Sequence, residues 1–370
     1  NDVISDSSAL IVSGGTFAMG SYSDTVADVT LSGGSITSGT GVLTAASYTI
    51  SNNSGTTTIS AILAGNVNLT KTGAGTLTLS GANTYSGTTT ISGGTVIVTN
   101  NAGLGTTAGG TSVASGATLD LHNVTVGTEA ITLAGGTLKD VTSSLAGNIT
   151  LTADSTLIAT NVGDTLTLSG VISGSYGITK SGAGTVVLSN ANTYTGATTI
   201  SVGTLSVTGS LSNSTAVSVA SGATYNVGAS DTIASLTGAG SVTLGSNTLT
   251  LANASGTYSG VMSGTGGLTV SGGTATLSGA NTYTGATAIG SGATLALSTG
   301  GSIADSSAVT ATGTLDISGT TSGASIKSLA GAGYVTLGSK TLTLTAANDT
   351  FSGVMSGTGG LTVSGGTATL

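Results

Sequence analysis

Apolar and small polar residues alternate in short runs throughout the chain, and the runs recur with similar sequences. The stretch Lys71 to Val98, KTGAGTLTLSGANTYSGTTTISGGTVIV, returns with few changes at Lys180 to Val207 and again at Val270 to Leu297. A fourth copy begins at Val363 and breaks off at Leu370. An internal repeat of this kind indicates a repetitive architecture, and not a set of independent globular folds.

Each copy contains three alternating runs, which in the first copy are Thr76 to Ser80, Thr88 to Ser92 and Thr95 to Thr99. Alternation over four or five residues is typical of a strand with one buried face. The residues between the runs are Gly, Asn and Ser, which tolerate turn geometry. Three strands and three turns that recur predict that one copy forms one rung of a solenoid. The predicted fold is therefore all-β, a single-stranded right-handed parallel β-helix (β-solenoid) with three short strands per rung.

The alternation also predicts which side chains are buried. In Thr76-Leu77-Thr78-Leu79, the two Leu side chains point to one face of the strand and the two Thr side chains to the other. Because Thr hydroxyls can stay hydrated, the Leu side chains are expected inside the solenoid. A lone rung buries too few aliphatic side chains to offset the entropy of ordering its backbone, so neighbouring rungs must supply the rest of the core.

Two regions are predicted along the chain. Residues 1–59 form divergent N-terminal rungs, with strand-like pieces at Ala9 to Val12, Val29 to Leu31 and Tyr48 to Ile50. Residues 60–370 form the repeat-containing β-helix, which we expect to continue beyond Leu370 because the sequence stops inside a repeat. The chain is thus expected to be part of a longer protein.

Composition narrows the classes of function. Charged residues make up only 5% of the 370 residues, hydrophobic residues 38% and aromatic residues 3%, while Cys is absent. The net charge of −8 and the small number of basic residues, five, exclude nucleic-acid binding, which needs clustered Lys and Arg. The same charge argues against anionic membrane surfaces, and no apolar run is long enough for a transmembrane helix. No disulfide and no thiol chemistry can occur.

The motif Asn-Thr-Tyr-(Ser/Thr)-Gly recurs at Asn83 to Gly87, Asn192 to Gly196 and Asn281 to Gly285, with degenerate forms at Gly256 to Gly260 and Asp349 to Gly353. It could form a sugar-binding loop, because Tyr can stack on a pyranose ring. Its fixed place between two strands favours a structural corner, in which Asn bonds the turn backbone and Tyr caps the edge of the core.

Few residues could carry chemistry. Asp120 and His122 lie on one face of a predicted strand, but two ligands are too few for a metal site and no second His or Cys exists. A polar pair on a solvated face is the favoured interpretation. Asp154 and Asp164 share a variable segment and are interpreted as solvated acids, not as a glycosidase pair. We predict no catalytic residues, no cofactor-binding residues, no metal ligands and no cofactors.

The repeat resembles the autotransporter-associated β-strand repeat, also called the passenger-associated transport repeat. The resemblance is carried by Gly73 to Val96, Gly182 to Leu205 and Gly272 to Leu295 and covers roughly Ser60 to Leu370. It implies a right-handed parallel β-helix in the passenger domain of an autotransporter. It also implies export through an outer-membrane barrel and a location outside the cell or on the surface of a Gram-negative bacterium.

The predicted function is that of a structural repeat protein, a surface stalk or fibre segment of an autotransporter-like adhesin used in adhesion or biofilm, and not an enzyme. One alternative is a self-assembling extracellular filament subunit, since the C-terminal rung carries no polar cap. Others are a carbohydrate-binding or polysaccharide-degrading β-helix and an ice-binding face of Thr-x-Thr rows. Candidate partners are a second copy bound end to end and a glycan or protein receptor on a host or cell surface. Nucleic acid and membrane insertion by this fragment are excluded.

Overall fold

The computed structural model describes residues 3–370, and the regular elements in that range are β-strands of two to seven residues. These strands belong to two units, one that ends at Tyr194 and one that runs from Thr195 to Leu370. Within each unit a strand pairs in parallel with the strand that follows it one turn later along the chain. The prediction of an all-β parallel solenoid with short strands in each turn is confirmed.

The N-terminal unit stacks its strands at three positions of the turn, called here the first, second and third sheets, which the chain visits in the same order; the strands of the third form two separate ladders. The first sheet contains Leu10–Val12, Val29–Leu31, Tyr48–Ile50, Leu69–Lys71, Thr89–Ile91, Thr111–Ala114, Ile131–Ala134, Ile149–Ala153 and Ile172–Gly174. The second contains Thr16–Ala18, Ser35–Thr37, Thr56–Ile59, Thr76–Leu79, Thr95–Val98, Thr118–His122, Thr137–Val141, Ser155–Ala159 and Ile178–Ser181. The third position holds Asp24–Thr25, Val42–Thr44, Ile62–Ala64, Thr125–Val126, Ser143–Leu145, Thr165–Leu168 and Thr185–Leu188.

The C-terminal unit repeats this order. Its first sheet contains Asp231–Ile233, Leu249–Leu251, Leu268–Val270, Thr287–Ile289, Val309–Ala311 and Leu329–Ala330. Its second contains Thr198–Ile200, Ala216–Val219, Ser235–Gly238, Thr257–Tyr258, Thr274–Leu277, Thr294–Thr299, Thr314–Thr320, Tyr334–Gly338 and Val354–Gly357. Its third position holds Thr204–Val207, Thr224–Val227, Ser241–Thr243 and Val261–Ser263, followed by Ala324–Ile326, Leu342–Leu344 and Leu361–Val363.

The sequence copy and the structural turn differ in length. Thr76 lies opposite Thr95, one turn later in the second sheet, and that interval is shorter than the copy from Lys71 to Val98. The runs at Thr76–Leu79 and Thr95–Val98 therefore belong to two successive turns stacked on each other, and the prediction that one copy forms one rung is wrong. The sequence repeat determines the order of the strands along the chain. The number of residues in one turn determines which of these strands stack on each other.

Because the spacing between copies is not a whole number of turns, equivalent strands lie in different sheets of the same unit. In the N-terminal unit, Leu69–Lys71 belongs to the first sheet, whereas its repeat equivalent Ile178–Ser181 belongs to the second. In the C-terminal unit, Leu268–Val270 lies in the first sheet and Leu361–Val363 in the third. Within each unit, the copies are thus rotated around the turn relative to one another.

The core consists of aliphatic columns formed by inward side chains of successive turns. Leu79 pairs in register with Val98, which pairs with Leu121, and all three side chains are buried. Leu77 is also buried, while Thr76 and Thr78 are half-buried on the opposite face, so the predicted inside and outside of this strand are confirmed. Each column removes apolar surface from water only because the next turn covers it.

The divergent N-terminal stretch also contains regular turns. The predicted pieces appear as Leu10–Val12, Val29–Leu31 and Tyr48–Ile50, stacked in register in the first sheet. Residues 1 and 2 of this predicted region lie outside the described residues.

Candidate functional site

The Asn of the corner motif holds successive turns together. The Asn83 Oδ1 accepts the backbone N–H of Leu63, one turn earlier, at 2.9 Å. Its Nδ2 donates to the carbonyl of Gly103, one turn later, at 2.6 Å. The side chain is buried, so an amide that could recognise a ligand is used to bind backbone groups of three consecutive turns.

The other two copies use their Asn in the same way. Asn281 accepts the N–H of Met262 at 2.9 Å and donates to the carbonyls of Gly279 at 3.0 Å and Ser302 at 3.1 Å. Asn192 accepts the N–H of Ile172 at 3.0 Å. The predicted role of Asn in bonding the corner backbone is confirmed in all three copies.

The Tyr of the motif lies in the core. Tyr85, Tyr194 and Tyr283 are at most 1% exposed, so none of them can stack on a sugar in this structure. The Tyr85 hydroxyl lies 2.6 Å from the Thr89 Oγ1, and burial raises the pKa of Tyr85. The interpretation as a sugar-binding loop is wrong for these residues, and the expected place at the edge of the core is corrected to its interior.

Because the copies are rotated, their corners occupy different sides of the N-terminal unit. The corner at Thr84 and Tyr85 stacks on Leu63 of the third sheet, whereas the corner at Thr193 and Tyr194 stacks on Ile172 of the first sheet, as their backbone hydrogen bonds show. The repeated motif therefore does not build a continuous recognition surface along one face of this unit.

Asp120 and His122 do come together, as the spacing predicted. The His122 Nε2 lies 3.2 Å from the Asp120 Oδ1, and the Lys139 Nζ pairs with the Asp120 Oδ2 at 2.7 Å. Covered by these two neighbours, Asp120 has only 3% of its side chain exposed. The prediction of a solvated pair is wrong for Asp120, because Lys139 from the next strand lies over it.

Asp154 and Asp164 serve the backbone of separate turns. The Asp154 Oδ1 accepts the N–H of Gly177 at 2.7 Å. The Asp164 Oδ2 accepts both the backbone N–H of Asn161 at 2.8 Å and its side-chain Nδ2 at 3.0 Å. Both carboxylates thus act as caps of turns. Within residues 3–370, no three His, Cys, Asp or Glu side chains gather in a group that could hold a metal ion.

In the second sheet of the N-terminal unit, outward Thr side chains form one long column but not paired rows. In the second sheet the column runs in register through Thr56, Thr76, Thr95, Thr118, Thr137, Thr156 and Thr179. The parallel column beside it starts with Thr58 and Thr78 and is then interrupted by Ile97, Asp120, Lys139 and Ile158. Interrupted Thr-x-Thr rows do not support the ice-binding hypothesis for this face.

Two buried lysines are features that the sequence reasoning missed. Lys71 and Lys180 are fully buried at inward positions of their strands. The Lys180 Nζ donates to the carbonyls of Ser181 at 2.9 Å and Gly182 at 2.7 Å, and the Lys71 Nζ donates to that of Gly73. Burial lowers the pKa of both groups, that of Lys180 to about 8. The alternation Leu69-Thr70-Lys71, which places Lys71 inward, was the available signal.

Besides Asp120, three further carboxyl groups are buried. Glu129 accepts the Thr111 hydroxyl at 2.8 Å, and Asp231 accepts the N–H of Leu211 at 3.0 Å. Asp140 occupies an inward position and neither of its carboxylate oxygens has a hydrogen-bond partner of good geometry. Burial raises the pKa of all three groups, that of Asp140 to about 6.

Comparison with known proteins identifies the repeat. The passenger-associated-transport-repeat family matches this chain at residues 69–98, 178–207 and 271–297. Three segments of the chain are thus similar to passenger-associated transport repeats. The predicted resemblance to autotransporter passenger domains is thereby confirmed, and the three matches contain the three corners described above.

One relative of the repeat-bearing chain is a much longer protein. Over 203 residues the chain is 35% identical to the adhesin BmaC autotransporter of Brucella suis biovar 1 (strain 1330). The match covers 53% of this chain and 6% of that protein. No solved structure matches the chain. Among the residues that the structure describes, no helix is long and apolar enough to cross a membrane.

Proposed function

We propose that this chain is a structural stalk segment of an adhesin-like autotransporter passenger, located outside a Gram-negative bacterium. The observation that carries the proposal is the use of the repeat motif. Asn83 and Tyr85 carry the motif's amide and phenol groups, which are the groups best suited to bind a ligand. Both side chains are buried, and their polar groups form hydrogen bonds within the solenoid. Because the polar groups of the motif bind neighbouring turns, each copy of the motif serves to extend the solenoid. The residues on the outer surface are not constrained by the motif.

The rotation of the copies supports the same role. A repeated binding site would need equivalent corners on one face, but the corners at Tyr85 and Tyr194 stack on different sheets of the N-terminal unit. Charged residues make up only 5% of the chain. So few charged side chains are consistent with a spacer that makes few specific contacts. The similar adhesin is far longer than this chain, which leaves room in such a passenger for a receptor-binding segment outside the stalk. A role without catalysis is part of this proposal, as is surface location.

An in-register deletion tests the stalk. Removing residues 76–94 from the full passenger makes Thr95 take the place of Thr76, its partner in the ladder, so one turn is lost without a change of register. We expect the shortened passenger to reach the cell surface and to adhere as well as the original one. A second deletion, of residues 118–136, removes another turn by the same rule, since Thr118 pairs with Thr137.

Loss of adhesion in either deletion variant would contradict the proposal. If one of these deletions abolishes adhesion while the passenger stays folded and exposed, the lost turn holds a receptor site and the stalk proposal is wrong. Biofilm formation, scored in parallel, separates adhesion to cells from adhesion between bacteria. A glycan or protein receptor and end-to-end self-association stay predictions.

A further inference from the structure

The strand Thr137–Val141 places a carboxyl group in an aliphatic column of the core. Asp140 lies opposite Leu121 in the preceding turn and Ala159 in the following one. It is completely buried, and its two carboxylate oxygens lack well-formed hydrogen bonds. An ionised carboxylate in such a place is strongly disfavoured, whereas a protonated carboxyl group is tolerated far better.

No basic group compensates Asp140 from the elements packed around it. On its own strand, Lys139 points to the opposite face and pairs with Asp120. On the preceding strand, Asp120 and His122 lie on that same outer face. Near the third-sheet strand of the next turn, Asp164 is also negative and adds to the cost of ionisation. The Ser143 hydroxyl and nearby backbone N–H groups oppose that cost only in part.

The corner that follows Asp140 is strained. Thr142 has a φ of 52°, a left-handed conformation that is unfavourable for a β-branched residue. In the preceding turn Asn123 has a φ of 51° at the equivalent corner, where Asn tolerates it better. An open depression of about 560 Å³ outside these corners is lined by both residues and by Ser143 and Ser144. Water can therefore reach this corner without unfolding of the rest of the unit.

We propose that the turn Thr137–Leu145 is a pH-sensitive weak point of the solenoid, closed when Asp140 holds its proton and opened locally when Asp140 ionises. Opening moves the carboxylate from the aliphatic column into water and releases the strain at Thr142. The direction is unusual for a carboxylate, because the closed turn binds the proton more tightly than the open one. Mild acid therefore tightens the turn and neutral pH loosens it.

Native-state hydrogen exchange of the whole chain tests this directly. Opening of residues 137–145 is measured at pH 5.0 and pH 7.5, after correction for the intrinsic pH dependence of exchange. A carboxyl group whose pKa falls from about 6 in the closed turn to its ordinary 3.8 in the open turn gives roughly tenfold more opening at the higher pH. The strand Thr76–Leu79, with Leu79 in the same column, should show no such change. Equal opening of residues 137–145 at both pH values overturns the proposal.

Variants identify the group responsible. Asp140→Asn keeps the shape and removes the charge, and Asp140→Leu matches Leu121 in the column; both should abolish the pH dependence of opening at residues 137–145. Asp305→Asn, which changes an exposed carboxylate of the other unit, is the matched control and should leave it intact. A tenfold pH effect that persists in Asp140→Asn would show that another group is responsible. If neither variant folds, the wild-type exchange at two pH values still decides the matter.

Discussion

The hydroxyl groups of Tyr283 and Thr287 lie 2.7 Å apart in the core of the C-terminal unit, and the Thr287 hydroxyl lies 2.9 Å from that of Ser306 in the next turn. A short chain of hydroxyl groups thus continues from one turn of the repeat to the next. Tyr85 and Thr89 make the same pair in the first copy, at 2.6 Å. The repeat conserves its geometry from copy to copy by satisfying polar groups inside the solenoid.

Removing the phenol hydroxyl should have a small effect and removing the ring a large one. Tyr283→Phe should lower the free energy of unfolding by about 1 kcal/mol, because Thr287 retains Ser306 as a partner. Tyr283→Ala should lower it by about 3–5 kcal/mol, because a large cavity remains. Urea unfolding measures both. Tyr334→Phe, at an exposed Tyr, is the control and should be neutral; a large loss in Tyr283→Phe would contradict this account.

The corner Asn should be among the most sensitive polar residues of the chain. Asn281→Ala removes one buried acceptor contact and two part-buried donor contacts to the backbone and should lower the free energy of unfolding by about 2–4 kcal/mol. The exposed Asn53 is the matched control, and Asn53→Ala should change stability by less than about 0.5 kcal/mol. Similar melting temperatures for the two variants would show that Asn281 does not hold the turns together.

The inward and outward faces of one strand offer a sharper contrast. Leu79→Asp places a carboxylate in a column between Ile59 and Val98 and should cost about 4 kcal/mol or more. Thr78→Asp, one residue away on the half-buried outer face, should cost less than about 1 kcal/mol. Thermal unfolding of the pair measures the difference, and equal losses would contradict the observed burial.

The alternation of residues predicted the strand type and the buried face because both are local properties of the chain. Leu77, Leu79 and the corner at Asn83 could be placed from the sequence alone. The length of a turn could not be predicted from the sequence. It depends on the pairing of Thr76 with Thr95, and this pairing does not follow the boundaries of the sequence repeat. The burial of Asp120 was also beyond the pattern, because Lys139, which covers it, comes from the next turn.

The buried Lys180 should make stability rise with pH in the alkaline range. Its pKa is lowered to about 8 in the folded chain from the ordinary 10.5, so the folded state disfavours the charged form. The resulting penalty, about 3 kcal/mol, is complete below pH 8 and is relieved as pH rises toward 10.5. Lys180→Met should reduce this rise in melting temperature between pH 7.5 and 10, and the buried Lys71, whose pKa is lowered in the same direction, should account for the rise that remains. Lys327→Met, at a lysine that binds the Asp305 carbonyl on the surface, should keep it.

The close stacking of turns predicts which glycines tolerate a methyl group. At the third corner, a Cβ added to Gly285 would lie 2.3 Å from the carbonyl oxygen of Gly266 in the preceding turn, a distance that backbone atoms cannot accommodate without separating the turns. Gly285→Ala should therefore lower the free energy of unfolding by about 3 kcal/mol or more. Gly127 also precedes a strand-forming segment, but a Cβ there would have open space around it. Since Ala restricts the unfolded chain, Gly127→Ala should stay within about 1 kcal/mol of the original stability, on the stabilising side. Urea unfolding of the two variants separates backbone crowding from chain entropy, and a Gly285→Ala protein as stable as the Gly127→Ala protein would mean that turns at this corner are not in contact.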